Sequence, residues 1–498
     1  MKTRLVAHVV SAVLLVCGIA MMTSVVVSLL KGDDLYVVIG LFCSAAITCA
    51  VGAKGAWRTP RITKIDLRDG FGIVTFSWIA AAVFGAIPFV LVGNMSIVDA
   101  LFETMSGFTT TGASVLTQAR PDGVFDLPWG LLYWRSLTHW LGGMGIVVLS
   151  LAILPLLGIG AMQLYRAEAP GPTSDQLTPR VANTARWLWS IYILLSVAET
   201  LMLWPKMGLL EAWCHTCGTM ATGGFSTRIT SVAAFDSAYV DAVITLFMFL
   251  AGCNFLLHYK ALSGKVGEYW KDEEWRFYMY LTVACIIIAT IFLLFGQVFG
   301  SFTKCFRFAA FNIVSILTTT GFGTANFDLW PVFVKVLLVT LMFVGGCGGS
   351  TGGGMKCSRV ALLLKHAIAQ LKRAFYPRSI DNIRLNNRPV PEDVMSRVLG
   401  FFVIYLLLFL GIALLLCIIE PGLGGEKDGV AHNEIETAFT ASVATLSNIG
   451  PGLGRIGPTQ NYGWMKPWSK MLLFFSMMLG RLEVFTVIVM LHPRFWRK

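Results

Sequence analysis

Residues 316–324 read ILTTTGFGT, and the chain repeats this kind of turn three more times: GFTTTGAS at 107–114, GTMATGGFST at 218–227 and TLSNIGPGLG at 445–454. Each turn carries a glycine, Gly112, Gly223, Gly321 or Gly450, directly after Thr111, Thr222, Thr320 or Ile449. Ten or eleven residues upstream stands an aromatic: Phe102, Trp213, Phe311 or Phe439. A single TTTG is ordinary loop punctuation. Repetition of one unit along a chain is an architectural signal. Each turn follows a semi-apolar stretch of about a dozen residues, too short to cross a bilayer, that lies between longer apolar segments. Four such units predict half-helices and re-entrant loops arranged in fourfold pseudosymmetry.

That arrangement suits cation conduction. A dehydrating ion needs a ring of oxygen ligands, and backbone carbonyls supply one when the chain runs extended with its C=O groups turned inward. Glycine permits the φ and ψ this requires, and each half-helix points its negative C-terminal end at the axis. Non-helical backbone at membrane depth is tolerated only where it is buried in protein or lines a wet cavity. The expected ion ligands are Thr110, Thr111 and Gly112; Thr222 and Gly223; Thr319, Thr320 and Gly321; and Asn448, Ile449 and Gly450.

The surrounding sequence is that of a membrane protein. Of 498 residues, 56% are apolar and 13% charged, and mean hydropathy is +0.70, so one lipid-facing layer fits better than several soluble domains. Ten segments are long enough to span, at 5–30, 35–53, 71–92, 129–157, 187–204, 239–262, 277–299, 329–344, 398–419 and 464–491. The first is too long for a signal-peptide core and lacks an A-x-A cleavage pattern, so it is expected to remain as a membrane helix.

Net charge is +11, but the basic residues alternate from gap to gap and read as topology signals, not as a nucleic-acid surface. Lys54, Arg58, Arg61, Lys64 and Arg68 share one gap, Arg166, Arg180 and Arg186 another, and Lys260, Lys265, Lys271 and Arg276 a third. A further basic stretch runs from Lys356 to Arg397. These gaps and both termini are predicted to be cytoplasmic. The units divide as 1–68, a two-helix extension, then 69–170, 171–270, 271–390 and 391–498, the four repeats.

The third repeat contains GGCGGSTGGG at 345–354, seven glycines in ten residues. A helix cannot continue through it at about 1 kcal/mol per glycine. It is not a phosphate loop, because Met355 separates Gly354 from Lys356 and Cys357 follows. An intramembrane loop beneath the filter, able to block or clear the pore, is the functional reading; tight helix packing is the structural one. Arg481 and Glu483 sit inside the last apolar segment, where charge needs a partner or water. Arg481 is positioned to bond the glycine-loop carbonyls, with Glu483 as a candidate counter-ion. Gly345, Gly346, Gly348, Gly349, Ser350, Thr351, Gly352, Gly353 and Arg481 are therefore the expected gate.

Other features carry less. Cys214 and Cys217 have zinc-ligand spacing without a second pair. His139 reads as a packed histidine, and Asp99, Glu103, Asp236, Asp328 and Glu436 either enrich cations at the entrance or form a solvated surface. An obligate proton or sodium symporter would need a titratable group beside the filter, and His139 is the one candidate. A membrane enzyme would need a clustered His, Asp or Cys constellation, whereas the seven histidines are scattered.

The four turns, GGCGGSTGGGMK and the terminal LGRLEVFT together resemble the Trk/Ktr/HKT superfamily of potassium transporters, and the two extra N-terminal helices resemble its bacterial Trk-type membrane subunit. The resemblance spans essentially the whole chain. It implies potassium as the transported ion, a homodimer with one pore per protomer, a gate formed by the glycine loop and Arg481, and a bacterial inner-membrane location. It also implies a cytosolic nucleotide-binding regulatory subunit, with no organic cofactor in this chain. In plant relatives a serine at the first filter glycine accompanies sodium preference; here that position is Gly112.

Overall fold

The computed structural model describes residues 2–57, 67–145, 181–377, 383–427 and 430–496. Part of the expected span 129–157 lies outside the described residues, as do Arg58, Arg61, Lys64, Arg166 and Arg180. The fold is almost wholly helical. Among the described residues the strands form two short hairpins, Arg384–Leu385 with Arg388–Pro389 and Gly425–Lys427 with Val430–His432.

Among the described residues, six helices are long and apolar enough to cross a membrane: Thr3–Lys31, Leu35–Ala56, Arg68–Leu91, Arg186–Met207, Glu273–Phe295 and Glu392–Ile419. Counting each of two bent pairs as one span brings the number to eight. Val332–Val344 is a shorter apolar helix. Large apolar side chains such as Ile287, Phe295 and Leu407 are exposed on the outside, while rows of threonine and serine are buried within. The apolar exterior departs from the usual soluble pattern and matches a lipid-facing surface.

Two segments read as continuous spans are broken. Ala238–Ala251 meets Phe255–Leu262 at 99°, and Pro467–Arg481 meets Phe485–Leu491 at 118°. In the first, the Asn254 side chain accepts the Leu256 N–H at 2.9 Å and starts a new helix, while Phe255 N–H donates to the Gly349 carbonyl at 3.1 Å. In the second, Glu483 and Val484 take φ of 54° and 57°, conformations a β-branched residue avoids, and the helix ends at Arg481. Hydropathy cannot see either break because both sides remain apolar.

Four short helices sit among the long ones: Ile97–Phe108, Leu209–Met220, Phe302–Leu317 and Glu434–Leu446, of 12, 12, 16 and 13 residues. At 1.5 Å per residue none reaches across about 30 Å of hydrocarbon. Ser96, Ser301 and Asn433 cap three of them by accepting a backbone N–H, and Gly208 with φ 75° starts the fourth.

The acids expected at the entrance are engaged. Asp99 pairs with Lys470 at 2.6 Å, Asp236 with Arg307 at 3.5 Å and Glu436 with Lys335 at 3.1 Å. Glu103 is fully buried against Arg135 at 2.6 Å, behind the first turn, so it belongs to neither an entrance field nor a solvated surface. Asp328 accepts the Gly454 N–H at 3.1 Å. Burial raises its carboxyl from 3.8 to about 6, against the pull of the Gly454 bond and with a further push from Glu436.

Two outcomes are expected. Asn254→Ala removes a helix cap and should lower stability by about 1 kcal/mol, read as a drop in the thermal midpoint of the purified protein in detergent. For Asp328 the folded pKa lies above the unfolded one, so its ionised form costs stability at pH above about 6, and the cost is relieved as pH falls towards 3.8. Relative to Asp328→Asn, the wild-type midpoint should rise on acidification through that window; parallel midpoints would reject this.

Candidate functional site

The four turns leave their short helices in one hydrogen-bonding register. Thr111, Gly223, Thr320 and Ile449 donate their N–H groups to the carbonyls of Ser106, Gly218, Ser315 and Ala444 at 2.9, 2.7, 2.8 and 2.8 Å, five residues back in every case. The residue before each of these has positive φ: Thr110 at 54°, Thr222 at 52°, Thr319 at 63° and Asn448 at 57°. The residue after each is a glycine with positive φ: Gly112 at 80°, Gly224 at 77°, Gly321 at 83° and Gly450 at 96°.

This register corrects the second turn. Gly223, expected as the partner of Gly112, occupies the position of Thr111, and the matching glycine is Gly224. Sequence offers two adjacent glycines in ATGG and no means of choosing between them; only backbone conformation does. The upstream aromatics shift likewise. Phe102 and Phe311 are buried six residues before the helix end, where the other two helices place Cys214 and Thr440. Trp213 and Phe439 lie one position away, less buried.

The turns touch in a closed ring. A Cβ at Gly112 would lie 2.1 Å from the Gly223 carbonyl oxygen, at Gly224 2.1 Å from that of Thr320, at Gly321 1.9 Å from that of Ile449, and at Gly450 2.5 Å from that of Thr111. No side chain fits at any of the four. Glycine is required here by close approach as well as by φ. The same four glycines line one side of a polar, open funnel, together with Ser226 and Tyr462.

Behind each turn a polar group bolts the outgoing strand to its short helix. Ser114 donates to Glu103 at 3.0 Å, His215 Nε2 meets Ser226 Oγ at 2.9 Å, and Asn312 donates to Thr324 at 3.1 Å. In the fourth, Thr440 Oγ1 accepts the Leu453 N–H at 3.0 Å.

The glycine loop lies directly beneath the ring. The helix Val332–Val344 stops at Gly345, φ 79°, and helix resumes at Cys357. Thr351 Oγ1 donates to the Met220 carbonyl at 2.9 Å and receives the Thr222 hydroxyl at 3.4 Å. Gly353 N–H donates to Thr319 Oγ1 at 2.6 Å and Gly354 N–H to the Ser447 carbonyl at 3.0 Å. The loop thus underlies the second, third and fourth turns. Arg481 closes the remaining side, with Nη1 on the Thr351 carbonyl at 2.8 Å and Nη2 on those of Gly142 and Gly143 at 2.7 and 3.0 Å.

Of the expected gate residues, Arg481 and Thr351 meet in this bond. Gly349, farther along the loop, bonds the break at Phe255, and Gly348 N–H donates to Glu274 at 2.7 Å. Glu483 forms its ion pair with Arg359, a residue 124 positions away. Lys356, whose Nζ donates to the Gly352 carbonyl, adds a second basic group to the floor. Its position after GGGM was the only sequence signal for it.

His139 is buried against the ring, with Nδ1 2.7 Å from the Gly107 carbonyl and its imidazole stacked on Phe225 at 4.0 Å. Cys214 and Cys217 are buried free thiols on the second short helix. Among the described residues there is no group of three or more potential metal-ligating side chains.

A family model described as TrkH, cation transport protein, matches residues 40–498. The Trk system potassium uptake protein TrkH of Salmonella typhimurium is 42% identical over 458 residues, covering 91% of each chain. The Vibrio parahaemolyticus TrkH is 39% identical over 512 residues and 100% of both chains, and the Escherichia coli TrkG is 35% identical over 506 residues and 99% of both. The crystal structure of the potassium transporter TrkH from Vibrio parahaemolyticus matches with a TM-score of 0.86 at 35% identity over 100% of both chains. With the model spanning most of the sequence and relatives aligned nearly end to end, the chain belongs to the TrkH cation transport family, whose members are transporters and not enzymes.

Proposed function

We propose that this chain carries potassium into a bacterial cell across the inner membrane, through a selective pore that it forms itself. The observation that carries the reading is the closed ring of four carbonyl-to-glycine contacts, Thr111 to Gly450, Gly223 to Gly112, Thr320 to Gly224 and Ile449 to Gly321. A pore walled by backbone oxygens from four sides replaces an ion's hydration shell. Potassium as the ion is supported by the names of the relatives. Entry is passive, driven by membrane potential at about 2.3 kcal/mol per charge per 100 mV.

In this reading Thr110 to Gly112, Thr222 to Gly224, Thr319 to Gly321 and Asn448 to Gly450 are the filter, and the chain crosses the membrane ten times with both termini cytoplasmic. The glycine loop and Arg481 form the gate. What supports that role is position: a guanidinium on three carbonyls below the ring sets a positive charge in the ion's path. The chain acts as a homodimer with one pore per protomer. A TrkA-like nucleotide-binding subunit docks on the cytoplasmic face, where the helix Cys357–Phe375 runs straight out of the glycine loop and offers a mechanical handle on it. The conducted potassium is cargo, and the chain holds no organic cofactor.

The test is ion flux into proteoliposomes containing the purified chain, with potassium, rubidium, sodium and lithium compared. Flux favouring potassium and rubidium without a proton or sodium gradient is expected; flux that requires such a gradient would replace the channel with a symporter. Gly112→Ser should narrow the preference for potassium over sodium. Gly224→Ala, which forces a side chain into positive φ and onto the Thr320 carbonyl, should cut potassium flux on the order of tenfold. Arg481→Ala should raise resting flux about tenfold without any partner, an ordinary size for a conformational coupling. Unchanged flux in that variant would remove Arg481 from the gate.

A further inference from the structure

The four seams between neighbouring filter turns are closed by different chemistry. Between the fourth and first turns, Asn448 donates to Thr111 Oγ1 at 2.9 Å and Tyr462 N–H donates to the Ser114 carbonyl at 2.8 Å. Between the second and third, Gly323 N–H donates to Ser231 Oγ at 3.2 Å. Between the third and fourth, Gly454 N–H donates to Asp328 at 3.1 Å. Ala233 N–H adds a second bond between the second and third, to the Gly323 carbonyl at 3.1 Å, so these seams are held by one or two neutral or carboxylate-accepted hydrogen bonds each.

The first-to-second seam differs. Arg135, 2% exposed, donates through Nε to Glu103 at 2.6 Å and through Nη1 to the Ser226 carbonyl at 2.8 Å. Its guanidinium lies 3.6 Å from the Phe225 ring centroid. Glu103, wholly buried, takes the Ser114 hydroxyl at 3.0 and 3.2 Å and the Val115 N–H at 2.9 Å. Ser226 Oγ is in turn held by His215 Nε2 at 2.9 Å. One unbroken chain of bonds runs from the strand leaving Gly112, through a buried ion pair, to the strand leaving Gly224.

We propose that the Arg135–Glu103 pair is a selectivity-determining brace: it fixes the separation of the first two filter turns and so the position of the Gly223 and Thr111 carbonyls. The proposal rests on the pore reading above. A buried cation cannot drift from its acceptors without an uncompensated charge, so the pair resists displacement more strongly than a neutral bond. The planar guanidinium fixes two acceptors at a set angle, which a lysine ammonium does not. Because the pair is neutral overall, it holds the strands without adding a barrier to a cation. Discrimination between potassium and sodium depends on where the carbonyls stand and how freely they move. Arg135 and Glu103 are positioning residues; neither contributes a carbonyl to the ring.

The experiment compares the potassium-to-sodium ratio of transport and the KM and maximal rate for potassium, in proteoliposomes of folded wild type, Arg135→Lys and Glu103→Gln. Arg135→Lys keeps the charge and loses the fork. It should lower the ratio on the order of tenfold and raise KM, with the maximal rate nearly kept. Glu103→Gln strands the arginine charge beside the funnel and should lower the maximal rate as well. Arg397→Gln, which breaks an exposed ion pair with Asp393, should leave all three quantities unchanged. A wild-type ratio in folded Arg135→Lys overturns the brace. If neither variant of the pair folds, Ser114→Ala decides: it removes one Glu103 contact, keeps the ion pair, and should shift the ratio about two- to threefold in the same direction, with no shift overturning the proposal. A wild type that does not prefer potassium would instead count against the pore reading itself.

Discussion

Everything in this molecule depends on one requirement: non-helical backbone buried in the interior must find its partners within the protein. The four turns meet it by returning their N–H groups to the ends of their own short helices, five residues back. Of the turn carbonyls, that of Gly450 accepts the Tyr462 hydroxyl at 2.7 Å, while those of Thr111, Gly223, Thr320 and Ile449 face the glycine of a neighbouring turn. Close approach of neighbouring turns excludes any Cβ at Gly112, Gly224, Gly321 and Gly450. Short helices, glycines and polar interior all follow from that geometry, as does the apolar exterior, because the polar atoms have been gathered inside.

The same requirement explains the floor. A glycine-rich loop offers many backbone groups and no side chains, so it can lie flat against the undersides of three turns and bond each through Thr222, Thr319 or Ser447. Arg481 supplies the fourth side and is satisfied by carbonyls at a helix end and on the loop. Both helix breaks lie against this loop, one through Gly349 and one at Arg481. A loop held by several modest hydrogen bonds to separate elements can change its arrangement in steps, whereas the four turns above it are held by their own helices.

Some of the charge inside the molecule is handled by pairing and some by backbone groups, as at Arg481 and Glu274. Glu103 with Arg135 and Glu483 with Arg359 are buried or nearly so; the first joins two successive helices and the second joins elements 124 residues apart. Such pairs contribute little net stability relative to apolar replacements, and their use is specification of position.

The sequence by itself determined the class, most of the helix positions and the four turns. Those features are written in composition, hydrophobic length and a repeat, all local properties of the chain. Tertiary structure alone decided which glycine of ATGG enters the ring, since Gly223 and Gly224 differ only in the conformation imposed by neighbouring turns. It alone broke the spans 239–262 and 464–491, because a bend set by Asn254 or by Val484 leaves mean hydropathy unchanged. It alone buried Glu103 and turned Glu483 to Arg359, because a charge chooses its partner in space, across 124 residues in the second case, and no spacing along the chain records that choice.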